Sequence, residues 1–238
     1  SATLPAACNV KIRDNDFRGF IHSVNGTSTY TFITWTHQSS TTDVISNNTW
    51  TNLSLATSGS VTFMIRQANM TATGIENCDS NRIVTAFTKS VAGGTILFYS
   101  ANASSVNGSS MNNRGNNFSN MTFTGATTIN GWSNTDGSSS ANGPTKTITN
   151  NTFSNISTGS ANMTIISSNW GNNGTNISNN TISNISNVPI ATGLTLTGIS
   201  IGTSNGGATQ TYSGNIISGL SSTSTGCQVI GILGGSIA

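Results

Sequence analysis

The residues able to do acid–base, nucleophilic or metal chemistry are few. Only 14 of the 238 residues carry a formal charge, 8 Lys or Arg and 6 Asp or Glu, for a net charge of +2. The densest group is Lys11, Arg13, Asp14, Asp16 and Arg18. Asp14 and Asp16 flank Asn15 and could offer oxygens to a hard cation, which wants several of them. The expected arrangement is instead ion pairing with Arg13 and Arg18 on an exposed strand, with Ile12 facing inward. His22 and His37 stand 15 residues apart with no third ligand near, and are expected at the surface. Cys8, Cys78 and Cys227 form no CxxC and no Cys/His cluster, and an odd number excludes a fully paired set. They are expected as buried free thiols. No metal and no cofactor are expected. Trp35, Trp132 and Trp170 lie at similar places in the repeat described below, and exposed rings there could stack on sugar rings. They are the candidate ligand-binding residues; the competing expectation is tryptophan packed in the interior or in turns. Residues 147–238, the last 92, contain no Asp, Glu, Lys, Arg or His. That stretch cannot host general acid–base catalysis by the usual groups.

Composition narrows the classes further. The 38 Thr, 37 Ser, 33 Asn and 26 Gly make up about 56% of the chain. Ordinary domains are about a quarter charged. A nearly neutral chain offers no phosphate-neutralising patch, so nucleic acid is not an expected partner. No run of about 18 apolar residues is present, so membrane insertion is not expected. Such a composition suits either a disordered tract or repetitive β-structure held by hydrogen bonds rather than charges.

The elements that must position these residues emerge from a period. The phrase Ile148-Thr149-Asn150-Asn151-Thr152-Phe153-Ser154-Asn155-Ile156 has close copies at 45–53 and 177–185 and more diverged ones elsewhere. The central apolar residues are Phe17, Trp50, Ile83, Phe118, Phe153, Ile182 and Ile217, spaced 33, 33, 35, 35, 29 and 35 residues apart. Two positions before each centre stand Asn15, Asn48, Asn81, Asn116, Asn151, Asn180 and Asn215. Three positions after it stand Phe20, Leu53, Ala86, Met121, Ile156, Ile185 and Leu220, all apolar. Five positions before it stand Ile12, Ile45, Cys78, Asn113, Ile148, Ile177 and Tyr212, with Asn113 the exception. A second strand-like run follows each centre, at 29–35, 61–65, 95–99, 127–132, 163–166, 194–201 and 228–233. These runs are short, rich in β-branched and aromatic residues, and bounded by Gly, Ser and Asn. No segment shows sustained helical periodicity with caps.

Strands this short cannot fold alone; stacked coils pair each one with its equivalent and turn the apolar positions into continuous interior stacks. At about 4.8 Å per coil, seven coils extend roughly 34 Å. An Asn column can form a ladder, since the amide both donates and accepts, and Asn tolerates the left-handed backbone of a sharp corner.

The Asn and aliphatic columns of "NNTFSNI" resemble the right-handed parallel β-helix repeat of the pectate-lyase-like superfamily. The style of "NNTISNIS" and "GNIISGLSS" resembles large secreted surface proteins of Bacteroidota, which are often exported by type IX secretion. The resemblance covers residues 10–238 and implies an all-β, right-handed parallel β-helix of about seven coils with 29–35 residues each. Family enzymes cleave acidic polysaccharides, and the hydrolase branch carries an Asn-Thr-Asp motif followed by further carboxylates. Here Asn134-Thr135-Asp136-Gly137 is followed by no Asp, Glu or His. Glycoside hydrolysis needs two carboxylates, so Asp136 is expected in a solvated Asp-Gly turn. Ice binding needs Thr at one position of successive coils, and Thr29/Thr31, Thr145/Thr147 and Thr195/Thr197 fall at different offsets from their centres.

Residues 1–238 are therefore expected to form one β-helix array cut from a longer protein. Its expected role is a non-catalytic structural or adhesive module, extracellular or at the cell surface. Its candidate partners are a surface glycan and a secretion-system or surface protein. The alternative is part of a polysaccharide lyase or glycoside hydrolase whose active coils lie outside this segment.

Overall fold

The computed structural model describes residues 8–137, 143–159, 161–169, 174–188, 192–202 and 209–235. Every named element in these residues is a β-strand, and the strands pair in parallel, each with its equivalent one repeat away. The result is a parallel β-solenoid of three seven-stranded sheets, with six turns of chain joining the first coil to the last.

The first sheet stacks Lys11–Arg13, Thr42–Ser46, Ile75–Asp79, Ser110–Arg114, Thr145–Thr149, Thr175–Ser178 and Gln210–Ser213. The second stacks Ile21–Gly26, Ser54–Thr57, Phe87–Lys89, Met121–Phe123, Thr152–Thr158, Thr181–Asn187 and Ile216–Ser222. The third stacks Tyr30–Trp35, Val61–Arg66, Thr95–Ala101, Thr128–Asn134, Met163–Ser168, Thr195–Ile201 and Gln228–Gly234, matching the seven runs expected after the repeat centres. A small fourth sheet of Asp16–Arg18, Thr49–Thr51 and Arg82–Ile83 forms the corner between the first and second. In the last three coils that corner segment runs on into the second sheet.

The interior is continuous. In the early coils it is aromatic: Phe17 stacks on Trp50 at 5.5 Å, Phe32 on Phe63 at 5.5 Å and Phe98 on Phe118 at 5.1 Å. Later it becomes aliphatic, with Ile166, Ile177, Ile182, Ile185, Leu196 and Ile199 fully buried. Aromatic stacking of this kind adds to the burial of apolar area.

Three details differ from the sequence expectation. First, Phe87 rather than Ala86 pairs with Met121, and Ala86 is exposed. One extra residue sits between the centre Ile83 and its second-sheet strand, so the next apolar residue takes the interior place. Second, the left-handed backbone is not on the ladder asparagines. It falls one position earlier, at Asp14, Asn47, Ser80, Gly115, Asn150, Asn179 and Gly214, and again after the centre at Gly19, Asn52, Asn120, Asn155, Asn184 and Gly219. All nine non-glycine residues with positive φ among the described residues belong to these two columns. The two columns bracket the corner, where the chain turns twice in succession. Asn predominates because it enters this region more readily than other side chains. Third, Thr31, Thr62, Thr164 and Thr197 share one column of the third sheet, interrupted by Leu97 and Asn130, with Thr62 and Thr197 buried. The segment linking the second sheet to the third varies in length, so equal offsets from the centre do not mean equal register.

Candidate functional site

The seven column asparagines form the ladder. From Asn48 onward, each side-chain oxygen accepts both the backbone N–H and the amide of the Asn one coil earlier. Asn116 donates to Asn151 Oδ1 from both N and Nδ2 at 2.9 Å, and Asn151 to Asn180 Oδ1 at 3.0 and 2.9 Å. The same pattern links Asn15 to Asn48, Asn48 to Asn81, Asn81 to Asn116 and Asn180 to Asn215. The remaining amide hydrogen goes to a carbonyl of the preceding coil, as from Asn151 Nδ2 to Asn113 O at 3.0 Å. Every donor and acceptor at this buried corner is thereby used, which keeps the parallel strands in register.

Beside the aromatic interior, where the third sheet ends and the next first-sheet strand begins, the core is polar. Arg66 lies fully inside, with Nη1 3.2 Å from Asp43 Oδ2 and 3.3 Å from Glu76 Oε2, and Nε donating to Ala68 O. Glu76 Oε1 accepts from Tyr99 Oη at 2.5 Å and from Asn113 Nδ2 at 3.2 Å. Asn113 Oδ1 accepts from Trp132 Nε1 at 3.3 Å and Asn134 Nδ2 at 3.1 Å. This explains the one polar residue in an otherwise apolar column. Next along the axis, Lys146 Nζ donates to Asn134 O at 3.0 Å and to Asn169 O.

Electrostatics follow from the burial. Burial pushes the Glu76 carboxyl up, against the pull of Arg66 and the two hydrogen bonds it accepts. It pushes the Tyr99 hydroxyl well up, with the negative charge of Glu76 adding to the effect. The Arg66 guanidinium loses solvation too, but Glu76, Tyr99 and Asp43 more than offset that and hold it charged. Lys146 is lowered to about 7 by burial, only partly countered by Asp136.

The residues singled out from sequence are distributed as follows. Trp35 and Trp132 are buried, and Trp132 stacks on Tyr99 at 4.7 Å, so neither ring is offered to a surface ligand. Aromatic bulk completes the interior there. Trp170 lies outside the described residues. Asp136, expected in a solvated turn, is buried: its two carboxylate oxygens take the N–H and Oγ of Ser105, each at 2.8 Å. His37, expected at the surface, is buried and hydrogen-bonds the Cys8 carbonyl at 2.8 Å, while His22 is half-buried against Tyr30 Oη at 2.8 Å. Both fill space in the first coil. Asp14 and Asp16 pair with Arg13 and Arg18 at 3.8 and 2.6 Å, as expected. Of the thiols only Cys78 is fully buried, and burial pushes it well up; Cys8 and Cys227 are half-buried. Among the described residues no group of three or more His, Cys, Asp or Glu could hold a metal.

The polar core was missed from sequence, though a signal existed. Seven positions before the centres, Asp43, Glu76, Met111, Lys146 and Thr175 stand in register, two residues from the inward Ile45 column and hence also inward. Lone charges on an inward column mark a buried network.

The exterior is the complement. Asp43, Arg66, Glu76, Lys89, Asp136 and Lys146 are all buried, so the last exposed formal charge is Arg114. Beyond it the described surface carries only neutral side chains, in ranks that begin in the earlier coils. Ser54, Thr88, Thr122, Ser157, Ser186 and Ser221 are in register on the second sheet. Ser100, Ser133, Ser167 and Ser200 are in register on the third. Exposed Asn120, Asn155 and Asn184 form a second amide ladder, with Nδ2–Oδ1 distances of 2.9 and 3.2 Å. No family model, no curated protein and no solved structure matches the chain.

Proposed function

We propose that this β-solenoid is a non-catalytic structural or adhesive module at the cell surface or outside the cell, and that it contacts glycans through its uncharged outer ranks. The observation that carries the reading is the exterior after Arg114, where hydroxyls and amides recur coil by coil and no formal charge is exposed. Each such group both donates and accepts, as sugar hydroxyls do. Single contacts of this kind are weak, and repetition along the axis supplies avidity. Acidic polysaccharides are best held by guanidinium or ammonium groups, which this surface lacks, so neutral glycans are the favoured class. The repeat style similar to pectate-lyase-like β-helices and to secreted Bacteroidota surface proteins supports the same location, with export by type IX secretion.

A glycan array tests this directly. The expected result is binding to neutral rather than uronate-rich glycans, weakened at least tenfold by Asn155→Asp together with Asn184→Asp while the melting temperature stays within a few degrees. Absence of binding to any glycan leaves only the structural role.

A further inference from the structure

Seven buried side-chain polar atoms of the described residues have no hydrogen-bond partner, and four of them are not scattered. Trp35 Nε1, Arg66 Nη2, Asn134 Oδ1 and Ser168 Oγ belong to one inward column of the third sheet. Its register runs Trp35, Arg66, Ala101, Asn134, Ser168, Ile201, one residue per coil. The column therefore presents two neighbouring donors, then the small Ala101, then two neighbouring acceptors, of which the Ser168 hydroxyl can also donate. All four residues are nine-tenths or more buried. An unpaired buried polar group costs about 1–3 kcal/mol, and groups of this kind in folded proteins are normally met by protein or by ordered water.

We propose that this column is an internal hydration site: water is held in the solenoid between Trp35 Nε1 and Arg66 Nη2, and again between Asn134 Oδ1 and Ser168 Oγ. The surrounding charges select a neutral ligand. Asp43 and Glu76 face Arg66 from the first sheet and Tyr99 from the third. Two carboxylates against one guanidinium disfavour an anion at the donor pair. Beside the acceptor pair stands Lys146 Nζ, bonded to Asn134 O and Asn169 O, with Asp136 as its only counter-charge. An ammonium there disfavours a metal cation, and two oxygens are too few for a hard one. Water accepts from the first pair and donates to the second, and a buried water typically makes about three such bonds.

The test is a crystal structure of the 238-residue chain, at a resolution that shows ordered solvent, from crystals grown with bromide. Expected are water oxygens about 2.7–3.2 Å from Trp35 Nε1 or Arg66 Nη2 and from Asn134 Oδ1 or Ser168 Oγ, with no anomalous bromide peak in the interior. Ser168→Ala, which removes one buried hydroxyl, should fold normally and lose the water beside Asn134 while keeping the one beside Arg66. Bromide at the donor pair would replace the hydration site by an anion site. Protein partners on all four atoms, or a dry column, would overturn the proposal.

Discussion

At the scale of single residues, the consequential feature is that six of the fourteen formal charges lie inside the molecule. A buried ion pair is weak evidence of stability, but breaking one strands its partners. Arg66→Met leaves Asp43 and Glu76 facing each other without a cation and should lower the unfolding free energy by about 3–5 kcal/mol, read by urea titration. Adding Asp43→Asn and Glu76→Gln should recover most of that loss; no recovery would mean that Arg66 acts through packing instead. Lys146 gives a pH signature. Its native value is about 7 against an ordinary 10.5, so between those values the unfolded chain binds the extra proton. Stability from this group therefore rises with pH across that window, and is least below 7, where the ammonium must be buried charged. At about 1.36 kcal/mol per pH unit, the wild type should gain up to about 4 kcal/mol relative to Lys146→Met between pH 7 and 10. Parallel curves for the two proteins would show that Nζ is hydrated in solution.

At the scale of the element, the unit is the column rather than the strand. Each strand is two to seven residues long, too short to persist by itself, and it is held by equivalents above and below. The Asn ladder is where this dependence can be measured. Asn151→Leu orphans the Asn116 N–H, one hydrogen of the Asn116 amide and the bond to the Asn113 carbonyl in one step, and leaves Asn180 Oδ1 with only the backbone N–H of residue 151. At about 1–3 kcal/mol for each buried group left unpaired, the loss should be about 3 kcal/mol or more. An unchanged melting temperature would show that the ladder is replaceable. The two left-handed columns beside it turn the chain at the corner, and the second also carries the exposed ladder of Asn120, Asn155 and Asn184. There Asn and Gly interchange, as at Asn179 and Gly214 or Asn184 and Gly219.

At the scale of the whole molecule, charge and neutrality are segregated. The exposed charges lie between Lys11 and Arg114, whereas the later coils present only hydroxyl, amide and apolar groups. Salt screens exposed charges over about 10 Å at 0.1 M, so a surface without charges has little to screen. Glycan binding by this surface should therefore change less than about twofold between 0.05 and 0.5 M NaCl, measured by calorimetry. A steep salt dependence would move the contact to the charged early coils.

The sequence by itself determined the period, the seven coils, the Asn column and the all-β class. It could do so because a solenoid is quasi-one-dimensional: equivalent residues stack, and the columns are written directly into the repeat. It also settled where charges are scarce. What it left undecided was which way a residue faces once loops vary in length. Phe87 displaced Ala86, and the Thr column of the third sheet appeared, only when the strands were in register. The sugar-stacking role imagined for Trp35 and Trp132 gave way to interior packing for the same reason. Asp43, Arg66 and Glu76 belong to different strands and meet only across the corner between two sheets. Their pairing depends on burial, which removes water and makes each unsatisfied group costly, and burial exists only once the coils are stacked.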